Sequence, residues 1–348
     1  MKEVEDRRAV VEEHWVRGAT TRQCGRAGVL SAIGTTPLLR LTQAVFHLPF
    51  RVFAKLEGFN PGGSSKDRAA LRILGEALDR GDVTRTTTIV ESSSGNMGIG
   101  LAQACRHYDL RLICVIDAKT TQQNVALLRA YGAEVDCVEQ PDPVTGDYLA
   151  ARLKRVRQLQ SLIPDSYWPN QYANIDNARA QYDAMAEIDT ALEGKVDHVF
   201  CPTSSCGTIR GCAEYVRAHK LPTRVWAVDA VGSVIFGQPA GKRLLPGHGA
   251  SRTPELLRAE QVDGCIHVDD LDCVVNCRRL LEHEALLVGG SSGGVLAAIA
   301  AARDRVSDGQ TCVGFFPDRG ERYLDTIYSD DWVKEHFGER WRTAWTNL

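Results

Sequence analysis

The sequence predicts an α/β protein whose sheets are mostly parallel and are flanked by helices, and two observations predict it. Short β-rich runs recur along the chain, and most are continuously apolar, as in strands that are buried on both faces. Segments with a helical spacing of apolar residues lie between these runs, so strand and helix alternate. Right-handed helical crossovers between such strands form twisted parallel sheets.

The elements follow one another in a regular order. Each predicted strand is a run of β-branched or other apolar residues bounded by polar ones, and these runs are 51–56, 87–91, 111–116, 133–138, 198–201, 224–229, 265–268 and 311–316. The predicted helices are 67–80, 97–107, 122–130, 147–162, 178–192 and 295–306. Asp269 and Asp270 are expected to cap a further helix that begins near Leu271.

Length and composition set the class of protein. The chain has 348 residues, which at ~100–200 residues per domain suggests two packed domains. Apolar residues make up 44 %, charged residues 24 %, and the formal net charge is −3. This balance is typical of globular proteins and lacks the basic excess that nucleic-acid binding needs. No apolar run reaches the ~18 residues of a membrane span, and the acidic opening MKEVEDRR resembles neither a signal nor a transit peptide. We therefore expect a cytoplasmic location and no membrane partner.

The 11 cysteines are the unusual feature of the composition. Their odd number and scattered positions do not form a disulfide pattern. CxxC pairs and histidines at ligand spacing are absent, so no metal site is predicted. Several cysteines lie inside apolar runs, where a thiol acts as a small buried hydrophobe. We expect reduced, structural thiols.

Ligands of parallel sheets bind at the carboxyl ends of the strands, in loops that lead into helices. The first such loop, NPGGSSKDR, follows the predicted strand 51–56. Lys66 lies where the loop meets the helix, and there the helix N-terminus and Arg68 would lower the pKa of its amine and favour a neutral nucleophile. Taken alone, the stretch fits a turn followed by a solvated lysine better.

Two more loops carry hydroxyl groups. The loop ESSSGNMG combines serine hydroxyls with the N–H groups of the next helix, which suits a carboxylate, and its Asn96 can donate to a phenolic oxygen. Its glycines do not fit GxGxxG, and no GxxxxGK[ST] motif occurs, so NAD and ATP sites are disfavoured. The loop SSCGT, residues 204–208, offers hydroxyls and successive amides to an anion, although serine-rich helix caps are common.

Together these motifs resemble the fold-type II pyridoxal-phosphate (PLP) enzymes, the tryptophan synthase β-like family of cysteine synthase and cystathionine β-synthase. The resemblance covers roughly residues 29–330 and rests on ordered motifs: GTTPL, KLE before NP, SxKDR, SGN, YGAE, GGSSG and GERYL. It implies PLP as cofactor, bound to Lys66 as a Schiff base, with Asn96 at its 3′-oxygen. It further implies that the phosphate is held by Ser204, Ser205, Cys206, Gly207 and Thr208.

The resemblance leaves the contact to the pyridine nitrogen open. Cysteine synthases often carry serine where this chain has Asp318 and Arg319. Ser291 is favoured, because a hydroxyl leaves the ring largely unprotonated and suits elimination, whereas a carboxylate would protonate it. Other departures are SSCGT in place of the usual GTGGT and Met97 in place of threonine.

Further segments are similar to one branch of this family, which serves siderophore biosynthesis in the staphyloferrin B pathway. They are YWPNQYAN, VDAVGSVIFG, LPGHGASR, IHVDD and PDRG. That branch joins O-phospho-L-serine to L-glutamate and releases phosphate, which supplies a precursor of 2,3-diaminopropionate. By this resemblance Ser93, Ser94 and Gln171 bind the substrate carboxylate, and Arg152 and Tyr172 receive glutamate. Arg152 as a solvated helix residue and Tyr172 as a core aromatic are open alternatives.

Other functions share the same fold. A cysteine or O-phosphoserine sulfhydrylase would use sulfide as the nucleophile, and a serine/threonine dehydratase would use none. A non-catalytic scaffold would keep the fold only, and the intact Lys66 and Asn96 argue against it. The resemblance implies a homodimer, an extension over residues 1–28, a large PLP-binding domain over 29–66 and 174–348, and a small inserted domain over 67–173.

Overall fold

The computed structural model describes residues 28–341, whose strands form two sheets. The strands are β1 Leu38–Leu41, β2 Arg51–Leu56, β3 Thr88–Ser92, β4 Arg111–Asp117, β5 Glu134–Val138, β6 Ser166–Tyr167, β7 His198–Pro202, β8 Arg224–Ala230, β9 Gly264–Val268 and β10 Thr311–Phe316. One sheet has the order β1-β2-β10-β7-β8-β9, and the other has the order β5-β4-β3-β6. Strands pair in parallel except at the β1–β2 edge, so the predicted fold class is confirmed.

Helices connect the strands. They are α1 Lys66–Arg80, α2 Asn96–Tyr108, α3 Gln122–Ala130, α4 Tyr148–Leu162, α5 Ile175–Ala191, α6 Gly207–Ala218, α7 Asp270–Glu284, α8 Gly290–Ala301 and α9 Asp330–Phe337. Short 3₁₀ turns at Glu57–Phe59 and Gly320–Tyr323 follow β2 and β10. Among the residues described, no helix combines the length and apolarity needed to cross a membrane.

Most predicted elements lie where the sequence placed them, and the exceptions have local causes. The helix predicted at 295–306 is wrong in position: α8 begins at Gly290 and ends at Ala301, and Arg303–Arg305 is a 3₁₀ turn. Helix α5 begins three residues before the predicted 178, because the side chain of Asn174 accepts from the Asp176 N–H at 3.0 Å and caps it. Asp269 caps α7 as predicted, accepting from the Asp272 N–H at 2.8 Å.

The apolar side chains collect on both faces of the six-stranded sheet. Helices α7 and α8 cover one face, where Val295 and Ile299 pack with Phe316. Helices α5 and α6 cover the other, where Met185 packs near Phe315. The four-stranded sheet packs against α1 and α2 in a core of its own. The helix layers therefore leave the carboxyl ends of the strands free for the loops.

Strands β3 to β6 all lie within 67–173, the segment predicted as an inserted domain. The exact boundaries at 66/67 and 173/174 stay a prediction. Of the predicted extension 1–28, all but Gly28 lies outside the described residues.

The cysteines of the described segment are all free thiols. All but Cys137 and Cys265 are buried, as expected for thiols that act as small core residues. Cys24 lies outside the described residues.

Candidate functional site

Four loops that carry candidate residues follow β2, β3, β7 and β10 at the carboxyl ends of these strands. The loop with Lys66 follows β2 and is joined to the end of β10, because the Ser65 N–H donates to the Pro317 carbonyl at 2.8 Å. Ser64 and Asp318 also form a β-bridge. These contacts bring the start of α1 to the residues that follow β10.

Lys66 is the first residue of α1 and is half-buried. Its amine lies 3.4 Å from the Ser65 hydroxyl. Burial lowers the pKa of this amine, while the carboxylates of Asp318, Glu57 and Asp67 oppose the shift. A lowered pKa raises the fraction of neutral amine, which is the form that adds to a carbonyl.

Arg68 does not act on Lys66 in the way that the sequence predicts. Its Nε donates to Glu57 at 2.7 Å, and its Nη1 donates to Glu187 at 2.7 Å. Lys55 reaches the same Glu187 at 2.5 Å. The expectation that Arg68 lowers the pKa of Lys66 is wrong, because two carboxylates neutralise its guanidinium. We call Lys55, Glu57, Arg68 and Glu187 the Arg68 cluster. It ties β2, α1 and α5 together directly behind Lys66.

Asp67 fixes the glycine-rich turn before Lys66. Its carboxylate accepts from the Gly62 N–H at 2.5 Å and is almost fully buried. A Cβ at Gly62 would lie 2.6 Å from the same carboxylate, so this position requires glycine. Burial raises the pKa of Asp67 to about 7, against the hydrogen bond from Gly62 and the charge of Arg322.

Asn96 contacts two residues that follow β10. Its Nδ2 donates to Asp318 at 2.7 Å, and its Oδ1 accepts from Arg322. Tyr323 donates its hydroxyl to the same Asp318 oxygen at 2.6 Å. Burial raises the pKa of Asp318, while these hydrogen bonds favour the carboxylate. In this arrangement the amide predicted to meet a phenolic oxygen is bonded to Asp318.

The structure places both candidates for the pyridine nitrogen at this end of the site. A Cβ at Gly289 would lie 2.0 Å from Asp318 Oδ1, so the carboxylate needs the glycine there. Ser291 is buried in the first turn of α8, two residues further on. Asp318 is hydrogen-bonded to Asn96. Ser291 stays the contact to the pyridine nitrogen that the resemblance favours.

The loop of Ser204, Ser205, Cys206, Gly207 and Thr208 opens α6. The first N–H groups of a helix have no partners within it and favour an anion. Asn177 donates to the Ser205 hydroxyl at 3.2 Å, and a Cβ at Gly207 would lie 2.4 Å from Asn177. The structure therefore contains a cradle of amides and hydroxyls of the kind that holds a phosphate.

Cys206 adopts a left-handed backbone, with φ 63°, although it is not glycine. Its side chain is buried in the core, and burial raises the pKa of the thiol to about 12. The thiol is therefore neutral, and only the backbone N–H of Cys206 is available to an anion.

In the serine loop after β3, the hydroxyls of Ser93 and Ser94 accept hydrogen bonds from different groups. Ser93 accepts from the Gly98 N–H at 2.9 Å and so supports the start of α2. Ser94 accepts from Arg152 Nη1 at 3.2 Å. Arg152 also lies 3.2 Å from Asp117, and both side chains are about nine-tenths buried. Arg152 is therefore a buried, paired cation at the serine loop and not a solvated helix residue.

Gln171 and Tyr172 lie on the other side of this loop. Gln171 is buried, and its backbone carbonyl accepts from the Asn177 side-chain amide at 2.8 Å. Burial raises the pKa of Tyr172, while the nearby charges of Arg152 and Arg252 favour its phenolate. The Tyr172 ring thus lies among charged groups, unlike an ordinary core aromatic.

Glu91 is a buried residue of the site to which the sequence reasoning assigned no role. It accepts from the Trp168 indole at 3.1 Å and from the Ser92 N–H at 2.7 Å. Burial raises its pKa to about 7, against these hydrogen bonds. A carboxylate at the end of the apolar run TIVES, directly before the serine loop, was the available signal.

Comparison with known proteins gives one family and many similar structures. A family model described as pyridoxal-phosphate dependent enzyme matches residues 29–318. An O-acetylserine dependent cystathionine β-synthase from Helicobacter pylori is 32 % identical with a TM-score of 0.82, and the match covers 88 % of this chain and 100 % of that one. A cysteine synthase from Entamoeba histolytica is 28 % identical with a TM-score of 0.83, covering 94 % and 98 %. An O-ureido-L-serine synthase is 26 % identical with a TM-score of 0.82, covering 88 % and 98 %.

The donor set fits a phosphorylated aldehyde. A lysine with a lowered pKa supplies the amine, and the N-terminus of a 12-residue helix supplies the anion cradle. The described residues contain no group of three His, Cys, Asp or Glu side chains that could hold a metal ion.

Proposed function

Because the chain belongs to the family of pyridoxal-phosphate dependent enzymes, we propose that it joins O-phospho-L-serine to L-glutamate, the reaction of N-(2-amino-2-carboxyethyl)-L-glutamate synthase. The family establishes PLP as the cofactor, and its cysteine synthase and cystathionine β-synthase members perform β-replacement. The substrate pair and a role in siderophore biosynthesis, as a source of 2,3-diaminopropionate, are the proposed part.

Bound PLP supplies an electrophilic carbon and an electron sink for a carbanion at Cα. Lys66 is the residue that would hold it, with Asn96 and the loop 204–208 as further contacts. The Lys66 amine, once released, takes the proton from the substrate Cα and later returns it, and its lowered pKa keeps a neutral amine available. Ser94 and the first N–H groups of α2 bind the substrate carboxylate. Ser93 positions that turn through its bond to Gly98.

The observation that carries the choice of nucleophile is the buried pair of Arg152 and Asp117 at Ser94. Arg152 is paired with Asp117, but its Nε makes no hydrogen bond within the described residues. A buried donor without an acceptor costs free energy, so this donor calls for an acceptor from outside the chain. An incoming dicarboxylate supplies one, since it needs a cation beside the reacting carbon, whereas sulfide needs none. Tyr172 adds a phenol near Arg152, and by resemblance Ser204 lies at the edge of the cavity.

Two experiments test the proposal. Lys66→Ala is expected to abolish the near-visible absorption of the PLP-bound lysine, and retention of that band would refute the assignment of Lys66. Wild-type holoenzyme given O-phospho-L-serine and L-glutamate is expected to release phosphate and to form the substituted glutamate, followed by mass spectrometry. Faster turnover with sulfide than with glutamate would overturn the proposed nucleophile.

A sulfhydrylase is the second candidate, favoured by the similarity to a cysteine synthase. The same assay separates it, because cysteine would then be the main product. Release of ammonia and a keto acid without glutamate would indicate a dehydratase instead. The homodimer and the cytoplasmic location are further predictions from the resemblance.

A further inference from the structure

We propose that Arg252 is the second cation of the nucleophile subsite and binds the carboxylate of the incoming amino acid that lies farther from the reacting carbon. The inference rests on the proposed function, since it specifies how that site would hold a dicarboxylate. Arg152 at Ser94 would then bind the nearer carboxylate.

The first argument is position. The Arg252 guanidinium lies over the ring of Tyr172, 6.0 Å from its centroid. The neighbouring Ser251 donates its hydroxyl to Asp147 at 3.4 Å. Asp147 caps α4, the helix that carries Arg152 one turn further on. The segment that carries Arg252 therefore contacts both Tyr172 and the start of the helix that carries Arg152.

A second anchor holds this segment in place. The Leu256 N–H donates to the Tyr172 carbonyl at 3.2 Å, and the Leu256 side chain is buried. The backbone on either side of Arg252 is thus tied to α4 and to Tyr172. The Arg252 side chain is exposed between these two anchors.

The third argument is charge. Arg152 already shares its charge with Asp117 at 3.2 Å. A nucleophile with two carboxylates and a neutral amine brings two negative charges, which one paired guanidinium does not balance. Arg252 is exposed, and among residues 28–341 its guanidinium has no carboxylate within ion-pair distance. It is therefore available to a ligand.

The electrostatics of Tyr172 agree with this geometry. Arg252 lies over the Tyr172 ring, and the charges of Arg152 and Arg252 both favour ionisation of the Tyr172 phenol. A guanidinium over an aromatic face keeps its N–H fork free at the edge for a planar carboxylate. Arg252 over Tyr172 therefore presents donors without first breaking a salt bridge.

The test compares nucleophiles that differ in one charge. In the holoenzyme, Arg252→Gln is expected to raise the KM for L-glutamate about tenfold, as for loss of a partly exposed charge-assisted hydrogen bond. The KM for L-glutamine, tested as a nucleophile, should change less than about twofold. Phosphate release from O-phospho-L-serine alone should stay as in the wild type, and Arg252→Lys should lie between the two forms. Arg258→Gln is the matched control, since Arg258 is exposed on the same segment and, within residues 28–341, donates to the carbonyls of Glu255 and Leu257 and to no carboxylate.

Outcomes for the two proposals are distinguishable. If wild-type enzyme does not use glutamate, the proposed function fails, and this inference fails with it. If wild type uses glutamate but Arg252→Gln leaves its KM unchanged, or raises the values for glutamate and glutamine equally, Arg252 is not a carboxylate ligand and only this inference is overturned. Equal urea midpoints of the variant and the wild type would verify that folding is unaffected.

Discussion

Replacing Glu187 by glutamine tests the energetic role of the Arg68 cluster. Burial opposes ionisation of Glu187, but the hydrogen bonds and charges of Arg68 and Lys55 outweigh it and lower the pKa to about 2 from an ordinary 4.5. The two values differ by about 2 to 3 pKa units, and each unit corresponds to about 1.4 kcal/mol, so the ionised carboxylate contributes about 3 kcal/mol. The Glu187 side chain is 25 % exposed, so solvent screens little of this contribution.

The contribution has a definite dependence on pH. The folded-state pKa of Glu187 is depressed, so the stabilisation is complete above pH 4.5 and is lost as the pH falls towards about 2. At pH 3.5 about 2 kcal/mol of it should remain. Glu187→Gln mimics the protonated carboxyl. The free energy of unfolding that the variant loses relative to the wild type should therefore depend on pH in the same way.

Urea unfolding at saturating PLP, followed by circular dichroism between pH 3.5 and 7, measures the deficit from the midpoint and slope. Glu76→Gln is a matched control, because Glu76 pairs with Arg72 at 2.9 Å on the exposed face of the same helix, α1. It should cost no more than about 0.5 kcal/mol. A Glu187→Gln deficit below about 1 kcal/mol at pH 7, or one that does not change with pH, would refute the reasoning.

Two further substitutions probe other buried groups. Relative to the wild type, Glu91→Gln should gain about 3 kcal/mol of stability as the pH rises from 4.5 to 7. The reason is the raised pKa of Glu91: in this window the folded wild type retains a proton that the unfolded chain loses. A constant difference between the two free energies of urea unfolding across that window would contradict it. Gly293→Ala should destabilise the holoenzyme by at least about 2 kcal/mol, because a Cβ there would lie 2.1 Å from the Cys273 carbonyl, where α7 and α8 cross; an unchanged urea midpoint would contradict that close approach.

The sequence predicted the strands well because most of them are buried on both faces. The run 311–316 is buried throughout and has no charged residue, so the strand can be read directly from the sequence. Strand β1 has four residues and β6 has two, which is too short for any periodicity to show. The start of α8 was missed because GGSSGG lacks apolar side chains, although its glycines are needed where α7 packs closely.

The site was predicted in its parts but not in its pairings. Lys66, Asn96 and the loop 204–208 are local motifs, and the structure places them at strand ends as such motifs require. The partners lie far away in sequence: Arg68 and Glu187 are 119 residues apart, and Asn96 and Asp318 are 222 apart. No local pattern contains such a pairing. The sequence shows Arg68 beside Lys66 but does not show that Glu57 and Glu187 neutralise the Arg68 charge.

That separation also has a consequence for the order in which the chain is made. At about 5–20 residues per second on the ribosome, the 119 residues between Arg68 and Glu187 take about 6–24 s to follow. Throughout that interval Glu57 is the only acid of the cluster available to Arg68, and Lys55 has no Glu187 to meet. The whole β3–β6 segment is translated in the meantime. The Arg68 cluster beside Lys66 is therefore completed only after the smaller sheet has been translated, and a nascent chain that ends before α5 would lack it.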